Sequence, residues 1–252
     1  MARYFIEVSY KGMRFAGFQN QNNAVTVQGE IDRALAVLLR VPVKTTGSSR
    51  TDAGVHAFQN YLHFDTDIPL IPHFTYKLNA VLSPDVAVRS LRRVPDDAHA
   101  RFDAVGRSYL YRLYDKKDPF LRESGYFFPY PVQEEMLHEA AALILKHQEF
   151  AGFAKRNTQV KTFRCSIERA EWHREPGQLL FEVTANRFLR GMVRGLVGTM
   201  LKAARGRISL AAFKDILEGT DNRQTDFSAP PQGLFLVEVR YPEDFPWGAP
   251  IP

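Results

Sequence analysis

The chain contains one cysteine, Cys165, so no internal disulfide can form and no multi-cysteine zinc site can be built. No stretch approaches the roughly 18 consecutive apolar residues of a membrane span. The opening MARYFIEVSYKG alternates like a strand and has no apolar run ahead of a small-residue cleavage site, so a secretory signal is not expected. There is no glycine-rich nucleotide loop, no His-x-x-x-His pair and no carboxylate cluster. No cofactor and no metal are therefore expected, and the absences together suggest a cytoplasmic protein with no membrane association. What remains is ordinary: 45% hydrophobic and 24% charged residues in a chain of 252, enough for one large domain or two small ones.

Net charge is +5 with a sequence pI near 9.3, which favours a polyanionic partner. The distribution says more than the total. Between Val183 and Lys214 stand seven basic residues (Arg187, Arg190, Arg194, Lys202, Arg205, Arg207, Lys214) and no acidic one. Such a run suits either phosphate binding or a solvated helix face, and charge alone does not choose.

Periodicity predicts strands over Tyr4–Tyr10, Val41–Thr46, Asn60–Phe64, Ser108–Tyr114, Ile167–His173, Leu179–Thr184 and Leu234–Val239. It predicts helices over Val27–Leu39, Glu134–Lys146, about Arg187 to Ala204, and Ala211–Leu217. Short alternating strands mixed with helices in both halves suggest an α+β fold with a largely antiparallel sheet. A weak join falls around Pro95–Ala104, and a proline-rich tail ends the chain.

Two segments carry chemistry. The polar loop Ser49-Arg50-Thr51-Asp52-Ala53-Gly54-Val55-His56 sets a carboxylate, a guanidinium and an imidazole in one connection, with small residues beside Asp52. Asp followed shortly by Gly is also common turn chemistry, and His56 reads as a structural hydrogen-bonding residue. In the expected long helix, Arg187, Arg190, Arg194 and Arg205 share a stripe at about 100° per residue, beside a ridge of Gly191, Gly195 and Gly198. Those glycines allow close approach of a backbone or a flat ligand, or tight packing inside the fold. An arginine beside the ridge, such as Arg194, would sit near a buried edge, where it needs a carboxylate partner.

The run Arg50-Thr51-Asp52-Ala53-Gly54-Val55-His56 resembles the catalytic loop of tRNA pseudouridine synthases of the TruA family. Further segments match in order. These are Tyr10-Lys11-Gly12-Met13-Arg14-Phe15-Ala16-Gly17-Phe18-Gln19, His99-Ala100-Arg101-Phe102, Arg107-Ser108-Tyr109-Leu110-Tyr111, Phe188-Leu189-Arg190-Gly191-Met192-Val193-Arg194 and Gly233-Leu234. The resemblance spans nearly the whole chain. Ser49 stands where the family usually has glycine and Phe18 where it usually has tryptophan.

The resemblance implies an α+β pseudouridine synthase fold. In it, two similar lobes form a long, mostly antiparallel mixed sheet with helices on one face and a central cleft. Residues 1–103 would form an N-terminal lobe with the catalytic Asp loop, and residues 104–252 a C-terminal lobe with the basic helix and base-pocket residues. It implies a homodimer that isomerises uridine to pseudouridine at positions 38, 39 and 40 in the anticodon stem-loop of tRNA. By carry-over, Asp52 is the catalytic carboxylate, Arg194 its ion-pair partner, and Tyr109 lies against the target base. Leu234 is a hydrophobic wall of the pocket, and Arg50 helps displace the base. Arg14, Gln19, Arg107, Arg187 and Arg190 complete the expected substrate contacts. Two other classes compete: a non-catalytic RNA binder, which gives Asp52 no purpose, and a glycosidic hydrolase, which usually needs a second carboxyl group.

Overall fold

A computed structural model describes residues 1–155 and 160–251. In chain order the regular elements are β1 (Ala2–Tyr10), α1 (Val27–Leu39), β2 (Thr46–Gly47), β3 (His56–Thr66), α2 (Phe74–Val81), β4 (Val86–Val94), β5 (Gly106–Tyr114), β6 (Tyr126–Phe127), α3 (Glu134–Leu145), β7 (Ile167–Glu175), β8 (Gln178–Ala185), α4 (Met192–Ala204), α5 (Leu210–Glu218) and β9 (Leu234–Arg240). The α+β class and the mostly antiparallel pairing are as the sequence implies. The chain divides into two compact units, one of Met1–Val105 with the residues from Leu236 on, the other of Gly106–Phe235.

In the first unit β1 lies between β4 and β3, antiparallel to both, and β2 adds to β3. β3 is buried along most of its length on both faces, as a central strand should be. α1 is apolar at Val27, Ile31, Ala34, Leu35 and Leu39, which are its buried residues. The Thr26 hydroxyl accepts from Gly29 N–H at its start, and Arg40 in left-handed conformation ends it. The proline-rich tail returns along β4: Gly248 N–H donates to Arg93 C=O and Ile251 N–H to Leu91 C=O. That covers an otherwise open sheet edge.

The strand expected over Val41–Thr46 is not there; only Thr46–Gly47 pairs. Pro42 offers no N–H to a ladder, and both the N–H and the hydroxyl of Thr45 are taken by the Asp32 carboxylate, at 3.0 and 2.7 Å. The segment's hydrogen bonds therefore go to a helix side chain.

In the second unit β8 lies between β5 and β7, antiparallel to both, while β6 runs parallel to β5. α4 is the most buried helix here, exposed chiefly at Arg194 and Lys202. It starts at Met192, not near Arg187. Gly191 adopts φ +75°, a left-handed conformation that the helix cannot pass through, and its C=O takes the Gly195 N–H instead. Arg187 and Arg190 thus precede the helix and Arg205 caps its far end, so the four arginines do not form one helical stripe.

Candidate active site

The Asp52 loop belongs to the first unit, and its pose follows from packing on three sides. Val55 N–H donates to Asp52 C=O at 3.1 Å, and Gly54 between them has φ +79°, as the third residue of a tight turn requires. The turn chemistry that the sequence suggests is therefore present, and Asp52 is its first residue. Beneath the turn, Gly12 approaches Val55 so closely that a Cβ there would lie 2.0 Å from its carbonyl oxygen. Gly12 N–H donates to His56 Nδ1 at 3.3 Å, giving the buried imidazole the structural role its position suggests.

On the next side, Phe18 N–H donates to Thr51 C=O at 3.1 Å. Gly17 has φ +104°, and a Cβ there would lie 3.1 Å from the same carbonyl oxygen. The Phe18 ring is buried against Gly47, where a Cβ would come within 2.2 Å of it. The residue at the family's tryptophan position is therefore a packing residue under the loop.

The third side is polar and buried. The Tyr10 and Thr51 hydroxyls are 2.8 Å apart. Asn60 Nδ2 donates to Ser49 C=O at 3.0 Å and to the Tyr10 hydroxyl at 3.3 Å. The Ser49 hydroxyl is buried with no hydrogen-bond partner among the described residues. Asp52 itself is half-buried and Arg50 exposed. Gln19 is exposed next to Phe18, so it lies beside the loop. Arg14 ends the 3-10 turn Gly12–Arg14, is four-fifths exposed, and approaches the Asp85 carboxylate at 3.4 Å.

The second unit gathers most of the other candidates. Tyr109 is half-buried on β5, with its ring edge-on to Phe188 at a centroid distance of 5.1 Å. Arg107, two residues earlier, donates to Asn186 C=O at 3.1 Å. These two residues and the 186–188 segment therefore meet at one end of β5 and β8. Arg187 is half-buried and Arg190 exposed, with the Arg190 carbonyl accepting from Lys155 N–H. Arg194 Nε donates to Ala229 C=O at 2.7 Å and its NH2 reaches Phe227 C=O at 3.5 Å. The guanidinium is thus oriented by the segment leading to Leu234. Leu234 is buried at the start of β9. The turn before it is fixed by Tyr111, whose hydroxyl donates to Pro230 C=O at 2.7 Å and whose ring lies against Gly233. Burial raises the Tyr111 phenol above its usual range, so it remains a donor.

The glycines of α4 serve internal packing. A Cβ at Gly198 would lie 2.2 Å from the Asp226 carbonyl oxygen, and one at Gly195 would meet Thr225 and Phe227. The 225–227 segment that crosses them is the one that holds Arg194. Burial pushes the Cys165 thiol up to about 11, which removes it as a thiolate nucleophile at neutral pH. Among the described residues no three His, Cys, Asp or Glu side chains converge as a metal site would need.

Residues 140–242 match a family model described as tRNA pseudouridine synthase. The protein named tRNA pseudouridine synthase A from Parabacteroides distasonis is 43% identical over 97% of this chain and 98% of its own. The chain belongs to the tRNA pseudouridine synthase A family. Members of that name from Porphyromonas gingivalis (41% identical, 97% of this chain and 99% of theirs) and Staphylococcus aureus strain MRSA252 (33%, 96% and 93%) are similar over the same span. Within this pseudouridine synthase, sequence reasoning found the loop that carries Asp52 and the segments that contain Tyr10 and Tyr111, but neither the supporting role of those two nor Asn60. Nothing local singled out Asn60, since β3 also carries His56, Gln59, His63, Asp65 and Thr66.

Proposed function

We propose that this tRNA pseudouridine synthase converts uridine to pseudouridine at positions 38, 39 and 40 of the tRNA anticodon arm, with Asp52 as the reacting carboxylate. The observation that carries the reading is the built loop around Asp52 in a chain similar over nearly its full length to proteins named for this chemistry. The reaction breaks the bond from uracil N1 to ribose C1′, turns the base and joins C5 to C1′, while C5 loses its proton and N1 gains one. Substrate and product are isomers, so neither a redox equivalent nor an energy donor enters the balance. A base in a stem must leave the stack, at a cost of a few kcal/mol, and needs a stacking face to receive it. The Tyr109 ring supplies that face, Leu234 closes it, and Arg50 helps displace the base. Arg194 is the ion-pair partner that orients the Asp52 carboxylate through a two-pronged hydrogen bond, which lysine cannot copy. Asp52 then serves either as nucleophile toward sugar or base, or as the base that forms a glycal; both need the charged form. Arg14, Gln19, Arg107, Arg187 and Arg190 contact the RNA. The enzyme works in the cytoplasm as a homodimer: light scattering is expected to give about twice the chain mass of 28.8 kDa, and an active species of monomer mass would refute that part.

The test is conversion of unmodified tRNA followed by mapping of the modified positions. The wild type is expected to modify 38–40, and Asp52→Asn to bind tRNA as tightly or slightly more tightly without turnover. Modification confined to other uridines would refute the positional assignment, and substantial turnover by Asp52→Asn would refute the role of Asp52.

A further inference from the structure

Asp52 reacts from a loop, and a loop is only as accurate as what grips it. In the stretch immediately before it, one side chain holds the Ser49 carbonyl and, by way of a second, the Thr51 hydroxyl. Asn60, on β3, is fully buried, and Tyr10, at the end of β1, is nearly so. Asn60 Nδ2 lies 3.0 Å from Ser49 C=O and 3.3 Å from the Tyr10 hydroxyl, and its Oδ1 accepts from Tyr61 N–H at 2.9 Å. The Tyr10 and Thr51 hydroxyls are 2.8 Å apart.

The orientation of this amide is dictated by its partners. Reversed, its oxygen would face the Ser49 carbonyl and its NH2 would face an N–H, two repulsive contacts in place of two bonds. The amide must therefore present its donor to the loop. Each step then follows. Asn60 fixes residue 49 directly, and through the Tyr10 hydroxyl it fixes the side chain of residue 51. Arg50 lies between those two anchored residues, and Asp52 follows the second. In a buried setting these bonds are strong and their loss is not made good by water. A purely structural polar residue on β3 could have satisfied itself within the sheet; this one gives its donor to the loop instead.

We infer that Asn60 is a positioning residue of the reaction, which sets the pose of Arg50 and Asp52 through Ser49 and, by way of Tyr10, through Thr51. The inference rests on the reading that Asp52 is the reacting carboxylate. It separates catalysis from binding. Asn60 and Tyr10 are buried and contact no RNA, so their loss moves the reacting groups without removing a phosphate contact. Misplacement of a reacting group by about 1 Å can cost a hundredfold in rate.

The test compares Asn60→Leu, Tyr10→Phe, their double variant and Phe64→Leu, a buried β3 residue outside the network. Single-turnover tritium release is measured from tRNA labelled at uridine C5, with tRNA affinity measured alongside. Asn60→Leu and Tyr10→Phe are expected to slow the rate at saturating tRNA about tenfold or more while affinity stays within about twofold. The double variant should be no slower than the worse single one, because both act through one loop pose. Phe64→Leu, below its melting temperature, should keep the wild-type rate. If Asn60→Leu does not fold, Tyr10→Phe decides alone. Wild-type rates in the tested variants, losses of affinity that match losses of rate, or an equal loss in Phe64→Leu would overturn the inference. Tritium release scores every converted uridine, so a wild type that acts outside 38–40 refutes the positional reading only. An active Asp52→Asn, run alongside, refutes the reading of Asp52 separately.

Discussion

A buried imidazole that accepts a hydrogen bond must stay neutral, and His63 is such a group. It is buried on β3, its Nδ1 accepts from Ala100 N–H at 3.1 Å, and its ring meets those of Phe5 and His99. Burial, assisted by the nearby Arg3 guanidinium, pushes its pKa down to about 4. Between that value and the ordinary 6.5 the unfolded chain binds a proton that the folded chain refuses. Stability is therefore full above pH 6.5 and falls as pH drops toward 4, where the folded ring also charges. At a maximum of about 1.4 kcal/mol per pH unit, the loss from pH 6.5 to 5 is on the order of 2 kcal/mol from this residue. His99 is shifted down as well, chiefly by burial, and adds in the same direction. Urea unfolding at pH 7 and pH 5 should show a smaller drop in stability for His63→Asn than for the wild type. Parallel losses in the two proteins would mean that His63 titrates normally in the fold.

At the scale of elements, α4 shows what a sequence pattern conceals. Three glycines in a helix-like run look costly, at roughly 1 kcal/mol each against alanine. Gly191 in fact lies outside the helix, and Gly198 is needed because the Asp226 backbone crosses it. That crossing is fixed by the Thr199 hydroxyl, which accepts from Asp226 N–H at 3.0 Å, and by Lys202, 3.4 Å from the Asp226 carboxylate. Gly198→Ala should therefore destabilise by about 2 kcal/mol despite its better helix propensity, since the clash is with backbone and cannot be relieved by a rotamer. It should also slow the reaction, because the displaced segment carries the carbonyls that hold Arg194. A melting temperature at or above that of the wild type would show that the close approach is not as described. The same element explains what was legible. Local signals recovered α1 at both ends, since its cap and its apolar face lie within its own residues. They recovered β5, β7 and β8 to within about two residues at either end, because alternation there is strong. They missed the start of α4, where the conformation of one glycine decides, and misread Val41–Thr46, where a distant carboxylate does; α2 and β4 also went unread. The Asp52 loop was readable because it is contiguous; its supports at Tyr10 and Asn60 lie 42 and 8 residues away and meet it only in three dimensions.

The whole molecule is basic, and the family's substrate is a polyanion, so binding and chemistry can be separated by salt. The corrected start of α4 sharpens that separation. Arg190 lies before the helix, exposed, with its carbonyl engaged by Lys155 N–H and its side chain directed by no helical stripe. Arg194 lies within the helix, half-buried, its Nε committed to Ala229 C=O at 2.7 Å. An exposed guanidinium suits a phosphate; a half-buried one oriented by backbone suits a carboxylate. Arg190→Ala should weaken tRNA binding several-fold and reduce the slope of log affinity against log salt by about one, as one fewer counterion is released. Its rate at saturating tRNA should change little. Arg194→Lys keeps the charge and loses the fork, so its salt slope should match the wild type while its saturated rate falls by about tenfold or more. Single-turnover rates and affinities for both variants at several salt concentrations decide the matter. A wild-type rate in Arg194→Lys would remove Arg194 from the chemistry. A loss of rate without loss of affinity in Arg190→Ala would move Arg190 from the phosphate surface into the reacting site.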